Sequence, residues 1–359
     1  MIFVDESIPL LAELLAPLGE VYRFRPQALD RALLIQMNCH ALFFRSSLRV
    51  TPALLEGTTV EFLGSVTSGS DHIAESLFRS DRYTIALAQG ANANAVAEYV
   101  LASILEWSYR MNISPAGISI GIIGFGNIGR RVAEYCHQLG MQVIVSDPPL
   151  QDQGFLFPSY VTTGTLAQLL DASTIITAHV PLILSGPYRT TRLLTTSMLA
   201  GTPVKLLINT SRGQVIPNRV LLDATRRGVA VSIDVWENEP NISPTVARRA
   251  IFATCHIAGH SINAKLAASV QVARQYYAFC KHPFTLPLLN LPPRILFEQS
   301  LPLDQVRKVL LRSRQFDRDS AALRRFSRLP VHKRIPAIEH FRVTYPPRFE
   351  TYRTHYDSD

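Results

Sequence analysis

Cysteine is scarce in this sequence. Cys39, Cys136, Cys255 and Cys280 are scattered over 359 residues. No CxxC pair occurs, which removes the usual sequence sign of a disulfide framework or a structural zinc site and fits a reducing, cytoplasmic setting. Long apolar runs are also missing. None approaches the ~18 residues of a membrane-crossing helix, so no membrane partner is expected. The opening MIFVDESIPL carries acids at positions 5 and 6 and no basic stretch, unlike a secretory leader. No repeat or low-complexity tract stands out.

What is present is a globular balance, 47% hydrophobic and 18% charged. At roughly 150 residues per domain, the length gives two or three domains. The net charge of +8 is uneven: from Leu291 onward 14 Lys and Arg face eight Asp and Glu, leaving +2 for the other 290 residues. Such a tail suits a solvated face or arginines that receive an anionic substrate. It lacks the aromatic interleaving and the zinc or RNA-binding motifs of a nucleic-acid binder, so no nucleic acid is expected as a partner.

Short runs rich in Val and Ile alternate with helical stretches. IFVD, ALFF and VEFLG come early; ISIGIIG, QVIVSD, TIITAHV, KLLINTS and VAVSIDVW follow. Near-continuous apolar strands separated by helices predict a parallel sheet covered on both faces. Long helices are expected over 94–110, after Asn92 as a capping residue, and over 263–280. The expected fold is α/β: a Rossmann-type doubly wound parallel sheet inserted into a flavodoxin-like substrate domain. The substrate domain takes 1–92 and 262–290, and the cofactor domain 93–261. Clustered prolines in NLPPRI mark a boundary to a small α+β module over 291–359.

The most informative stretch is SIGIIGFGNIGRRVAEYCHQLGMQVIVSD. Gly124, Gly126 and Gly129 form GxGxxG, with Asn127 and Ile128 inside it. The motif follows a strand, opens a helix and leads to a second strand ending in Asp147, the context a dinucleotide site demands. The glycines permit the tight turn, the backbone's approach to a pyrophosphate and the packing of helix on strand. Asp147 can accept from ribose hydroxyls. No arginine follows it in DPPLQDQ to greet a 2′-phosphate, so NAD is expected and not NADP.

Three further motifs fall at strand ends, where open parallel sheets bind ligands. INTSRGQVI places Arg212, SIDVWENEP places Glu239 and CHIAGH places His256. Each alone is a common turn or strand-end residue. Together they suit oxidation of a 2-hydroxy acid: Arg212 holds the carboxylate, His256 takes the hydroxyl proton and Glu239 orients the imidazole. His256 and His260 also have helical zinc spacing. However, the IAG between them follows a strand, Gly259 breaks a helix and no glutamate follows the first histidine, so no metal is expected. RSS and TSGS are loops dense in hydroxyls and backbone donors with Arg45 beside them, which suits a carboxylate or phosphate.

In this order, GxGxxG, Asp, SRG, ENEP and HIAG resemble the D-isomer-specific 2-hydroxyacid dehydrogenases. VDESIP, FRSSLRV, GSVTSGSDHI, NAVAEYV, SDPP, HVPLILSGPYRT and IDVWENEP resemble a branch that oxidises 4-phospho-D-erythronate in pyridoxal phosphate synthesis. The likeness runs from residue 1 to about 290 and weakens beyond. It implies catalytic Arg212, Glu239 and His256. It implies cofactor contacts at Asp147, Thr177, Thr210, Ser211, Arg212, Asp234 and Gly259, and substrate contacts at Ser46 and Thr67. It also implies a homodimer and a small phosphorylated hydroxy acid as partner.

Three departures stand out. Pro217 stands where the family usually has an acid soon after RG. His260 stands where this branch has a tyrosine facing the substrate. The tail keeps FDRDSAALRRFSRLP and TYPPRFETY of a dimerisation module but is short, and its Arg348 is expected to reach a phosphate across a dimer interface. Two other readings stay open here: a related enzyme acting on phosphoglycerate, glyoxylate or hydroxypyruvate, and a non-catalytic NAD-binding regulator.

Overall fold

The computed structural model describes residues 1–357. The apolar runs become two parallel sheets. The first comprises β1 (Ile2–Asp5), β2 (Val21–Phe24), β3 (Ala41–Phe44), β4 (Phe62–Ser65) and β5 (Thr84–Leu87), in the order β2-β1-β3-β4-β5. That is the flavodoxin-like order. β1, β3 and β4 are buried along their whole length, which explains their unbroken apolar sequence. β2 and β5 are the edges. They are half-exposed and carry Arg23 and Thr84, so they escape a reading that looks for apolar runs.

The second sheet holds β6 (Ser119–Ile123), β7 (Gln142–Ser146), β8 (Val161–Thr163), β9 (Ile175–Ala178), β10 (Leu206–Asn209), β11 (Ala230–Ile233) and β12 (Phe252–Ala253). Its order, β12-β11-β10-β9-β6-β7-β8, is Rossmann-type and parallel throughout. Strand order reverses between β6 and β9, the switch point where such sheets bind ligands beyond the strand carboxyl ends.

The chain divides into two compact units: Met1–Asn92 with Ser261–Pro292, and Ala93–His260 with the chain from Pro293 onward. The first is organised by the helix Ile262–Phe279, whose Ala268, Val272, Ala273 and Tyr276 pack into a core with Phe43 and Phe62. Ser261 caps it, its Oγ accepting from Ala264 N at 2.9 Å. Removing that oxygen in Ser261→Ala is expected to cost about 1 kcal/mol, read as a lower denaturation midpoint. An unchanged midpoint would mean that the cap adds nothing to stability.

In the second unit the helix Ala93–Arg110 is buried from Ala93 through Ser108. A helix buried nearly all round needs cover on every side, and the tail supplies part of it. Phe297, Val306, Leu310, Phe316 and Tyr352 share one core with this helix and the sheet. The segment expected as a separate module over 291–359 therefore lies within the second unit from Pro293 onward. It contains helices Leu303–Arg314, Phe316–Ser327 and Val331–Val343, and a two-strand ladder of β13 (Ile295–Leu296) and β14 (Tyr352–Arg353). Among the described residues, no helix is long and apolar enough to cross a membrane.

Candidate active site

At the end of β6 the chain turns sharply. Gly124 has φ +91° and donates to Ser146 O at 2.9 Å. A Cβ on Gly129 would lie 2.1 Å from the Gly124 carbonyl oxygen, so the helix Asn127–Gln138 can only meet the turn through glycine. Gly126 caps this helix without a side chain, and a Cβ there would meet nothing. The space beside Gly126 at the start of this helix is therefore open, and this glycine cradle fits a pyrophosphate. Asp147 stands at the end of β7. Its carboxylate accepts from Phe125 N at 2.7 Å and Leu150 N at 3.1 Å, which fixes it beside the turn.

The ends of β9 and β10 are joined by a histidine that the sequence motifs did not single out. His179 Nε2 pairs with Thr177 Oγ1 at 2.9 Å, and its Nδ1 with Thr210 Oγ1 at 3.3 Å. Burial pushes its pKa down to about 3, so the ring is neutral and serves as a bracket. Its signal was present in TIITAHV, where a polar residue closes an apolar strand. Asn209 shapes the next turn: its Oδ1 accepts from Ser211 N and Oγ at 3.1 and 2.8 Å, and its Nδ2 donates to Arg212 O at 3.1 Å. A Cβ on Gly213 would sit 1.9 Å from the Trp236 carbonyl carbon and 2.2 Å from Glu237 N. The turn carrying Arg212 therefore lies directly against the backbone that leads to Glu239.

His256 Nδ1 lies 3.0 Å from both carboxylate oxygens of Glu239. Burial alone would raise the Glu239 pKa. The charge and hydrogen bond of His256 outweigh it, helped by Arg342 and Arg212, and hold the carboxyl below its ordinary value. Arg342, from the tail, is a second residue that motif reading missed. His256 has φ +61°, a left-handed backbone rare for a residue with a side chain. Asp234 secures it there. The Asp234 carbonyl accepts from His256 N at 2.7 Å, and its carboxylate accepts from Ile257 N, Ala258 N and Thr254 Oγ1 at 2.8, 2.9 and 2.6 Å. Asp234, expected at the cofactor, is buried with both oxygens bonded within this loop.

His260 donates its amide to Ile257 O at 2.9 Å, and its ring meets the Tyr345 ring edge-on with centroids 6.3 Å apart. Half-buried Gly259 separates it from Ala258. Arg348 is placed otherwise than expected. It is 7% exposed and its guanidinium donates to Glu98 Oε2 and Ala258 O, each at 3.3 Å. Its guanidinium is turned inward to the buried Glu98, which it shares with Arg314. Among the described residues, no three His, Cys, Asp or Glu cluster closely enough to hold a metal.

The remaining candidates lie in the first unit, past the ends of β1, β3 and β4. Arg45 Nη1 donates to Ser7 Oγ at 3.2 Å, and Ser7 donates in turn to the buried Asp5. Ser46 is exposed. Thr67 Oγ1 donates to Gly69 O at 3.0 Å and pairs with Ser65 Oγ at 2.8 Å. Lys265, one turn into the helix after Ser261, is a second cation close enough to Arg45 to feel its charge. Burial, then the charge of Arg45, lowers its pKa. No motif pointed to it, because it enters from a helix 220 positions after Arg45 in the sequence.

Residues 85–258 match the D-isomer specific 2-hydroxyacid dehydrogenase NAD-binding domain. The chain is 36% identical over 331 residues to the erythronate-4-phosphate dehydrogenase of Pectobacterium carotovorum subsp. carotovorum (strain PC1), covering 90% of this chain and 86% of that one. It is 33% identical over 337 residues to the Escherichia coli (strain K12) protein of the same name, covering 92% and 88%. The NAD-dependent formate dehydrogenase from Staphylococcus aureus, solved in complex with NAD, shares the fold with a TM-score of 0.62 at 21% identity, over 79% of this chain and 97% of that one. An NAD-binding Rossmann domain and its fitting glycine cradle are thus in place, and the chain belongs to the erythronate-4-phosphate dehydrogenase family of NAD-dependent 2-hydroxyacid dehydrogenases.

Proposed function

We propose that the protein oxidises 4-phospho-D-erythronate to (R)-3-hydroxy-2-oxo-4-phosphooxybutanoate, a step in pyridoxal 5′-phosphate synthesis. The observation that carries the hydroxyl oxidation is His256 Nδ1 held 3.0 Å from both oxygens of Glu239, and the choice of acid is supported by the relatives named erythronate-4-phosphate dehydrogenase. With Nδ1 committed to the carboxylate, Nε2 is the nitrogen left to take the substrate hydroxyl proton. Glu239 stays ionised and stabilises the imidazolium that forms. Arg212 binds the substrate carboxylate through its guanidinium fork. NAD, when bound, supplies the acceptor for the C2 hydride. Thr177, Thr210, Ser211, Asp234 and Gly259 shape the cofactor side, and Arg45, Ser46, Thr67, Lys265 and His260 are assigned to the substrate. The assembly we propose is a homodimer. Four free cysteines, three of them buried, support a reducing cytoplasm.

The deciding experiment is NADH production from 4-phospho-D-erythronate, with 3-phosphoglycerate as control. Preference for the control, or no turnover of either, contradicts the reading. Asp147→Ala is expected to raise the KM for NAD by about tenfold or more, the scale of hydrogen bonds to a charged group. It should also narrow the preference over NADP. Unmoved cofactor preference would remove Asp147 from the ribose.

A further inference from the structure

Two residues beyond His256, the Ala258 carbonyl is buried and receives two guanidinium groups. Arg314 Nη1 donates to it at 2.9 Å and Arg348 Nη2 at 3.3 Å. Both arginines come from the chain past Pro293, and they are 3% and 7% exposed. A buried carbonyl needs a partner, but a backbone amide or a water would satisfy it without bringing charge into the core. Two buried cations demand compensation. Glu98, on the Ala93–Arg110 helix, provides part of it, one carboxylate shared by the two cations. Its Oε2 lies 3.3 Å from Arg348 and 3.9 Å from Arg314, and its Oε1 accepts from the Thr351 and Tyr352 amides at 2.6 and 2.8 Å. Arg314 also donates to Ala95 O.

The opposite side of the same loop is gripped by Asp234, which accepts from the Ile257 and Ala258 amides. Between these two grips His256 keeps its left-handed φ of +61°. A non-glycine residue holds that conformation only when its surroundings over-determine it.

We propose that Arg314 and Arg348 are positioning residues for proton transfer: by holding the Ala258 carbonyl against Asp234's hold on the amides, they fix where His256 presents its ring. This rests on the reading of His256 as the proton-transfer residue. The tail segment is thus part of the machinery of its own chain's site, acting through the loop and not on the substrate. Misplacing a reacting group by about 1 Å can cost about 100-fold in rate.

The test measures full-length Arg314→Met, Arg314→Lys and Arg348→Met for turnover, NAD affinity and amide exchange. In Arg314→Met, kcat should fall by about 10- to 100-fold, with the KM for the acid and the NAD affinity nearly unchanged. The apparent pKa of the pH–rate profile should shift, and the Ile257 and Ala258 amides should exchange faster. Arg314→Lys, which keeps a cation and a donor, should recover part of kcat. If Arg314→Met does not fold, Arg348→Met reads the same quantities with one grip left. Unchanged kcat per NAD-binding site, or unchanged exchange at these amides, overturns the proposal. A wild-type protein without turnover of any 2-hydroxy acid instead refutes the reading of the site. Faster exchange throughout the protein, with KM and kcat disturbed together, would reduce both arginines to ordinary stabilising residues and also overturn it.

Discussion

Replacing His256 by alanine is expected to lower kcat by about 10²- to 10⁴-fold, the usual contribution of a positioned general base. NAD affinity should stay unchanged, because the cradle at Gly124–Gly129 and the Asp147 carboxylate lie at the ends of other strands, β6 and β7. Removing the imidazole also leaves Glu239 without its nearest positive partner. Its carboxyl is depressed mainly because His256 and then Arg342 and Arg212 outweigh burial. The Glu239 pKa should therefore rise in the variant. A carboxyl depressed in the folded state contributes stability above its unfolded pKa and loses it as pH falls through the depressed folded value. The alanine variant lacks that contribution, so its stability deficit against the wild type should be largest near neutral pH and shrink as pH falls through the depressed wild-type value. Steady-state kinetics, NAD titration and an acid-unfolding series check these three outcomes. Turnover preserved with NAD binding lost would contradict the assignment.

Gly213→Ala should be as damaging by a different route. The added Cβ would lie 1.9 Å from the Trp236 carbonyl carbon and 2.2 Å from Glu237 N. Both obstacles are backbone, so no side-chain rotation relieves them. Overpacking of this kind costs about 1–3 kcal/mol and occasionally more. Relief requires the turn bearing Arg212 to move away from the segment bearing Glu239. Because reacting geometry is so steeply weighted, kcat/KM should drop by about 100-fold even in molecules that remain folded. Denaturation midpoints and kcat/KM together decide the matter. An alanine variant normal in both would show that the turn is not held against that backbone.

These two positions show what the sequence could and could not disclose. The buried strands were legible because parallel strands covered on both faces read as apolar runs, while edge strands β2 and β5 were hidden by their half-exposed composition. The glycine turn, Arg212, Glu239 and His256 were legible because each follows a strand at its carboxyl end, where chemistry collects in such sheets. Gly213 is only the last letter of SRG in the sequence; its crowding against Trp236 is a contact between segments and leaves no mark on either. His179, Arg342 and Lys265 were missed for the same reason: their importance lies in their neighbours, not in their spacing. The basic tail misled most. Its surplus arginines suggested a solvated face or an outward reach to phosphate, yet Arg314 and Arg348 are buried against Glu98. Composition counts charges but does not say which side of the surface they occupy.

The division of the chain between its two units also bears on how the protein is made. The first unit needs the helix Ile262–Phe279, which is synthesised only after the entire stretch from 93 to 260. The second needs the residues past 293, which supply Val306, Leu310 and Phe316 to the core around the Ala93–Arg110 helix. Neither core is complete when its first residues leave the ribosome. The early α/β half waits unfinished for more than 160 residues of synthesis, and the nucleotide-binding half waits with one of its most apolar helices partly uncovered. Emergence order and folding order are out of step, and the exposed apolar surface of that interval is what a nascent-chain chaperone would hold.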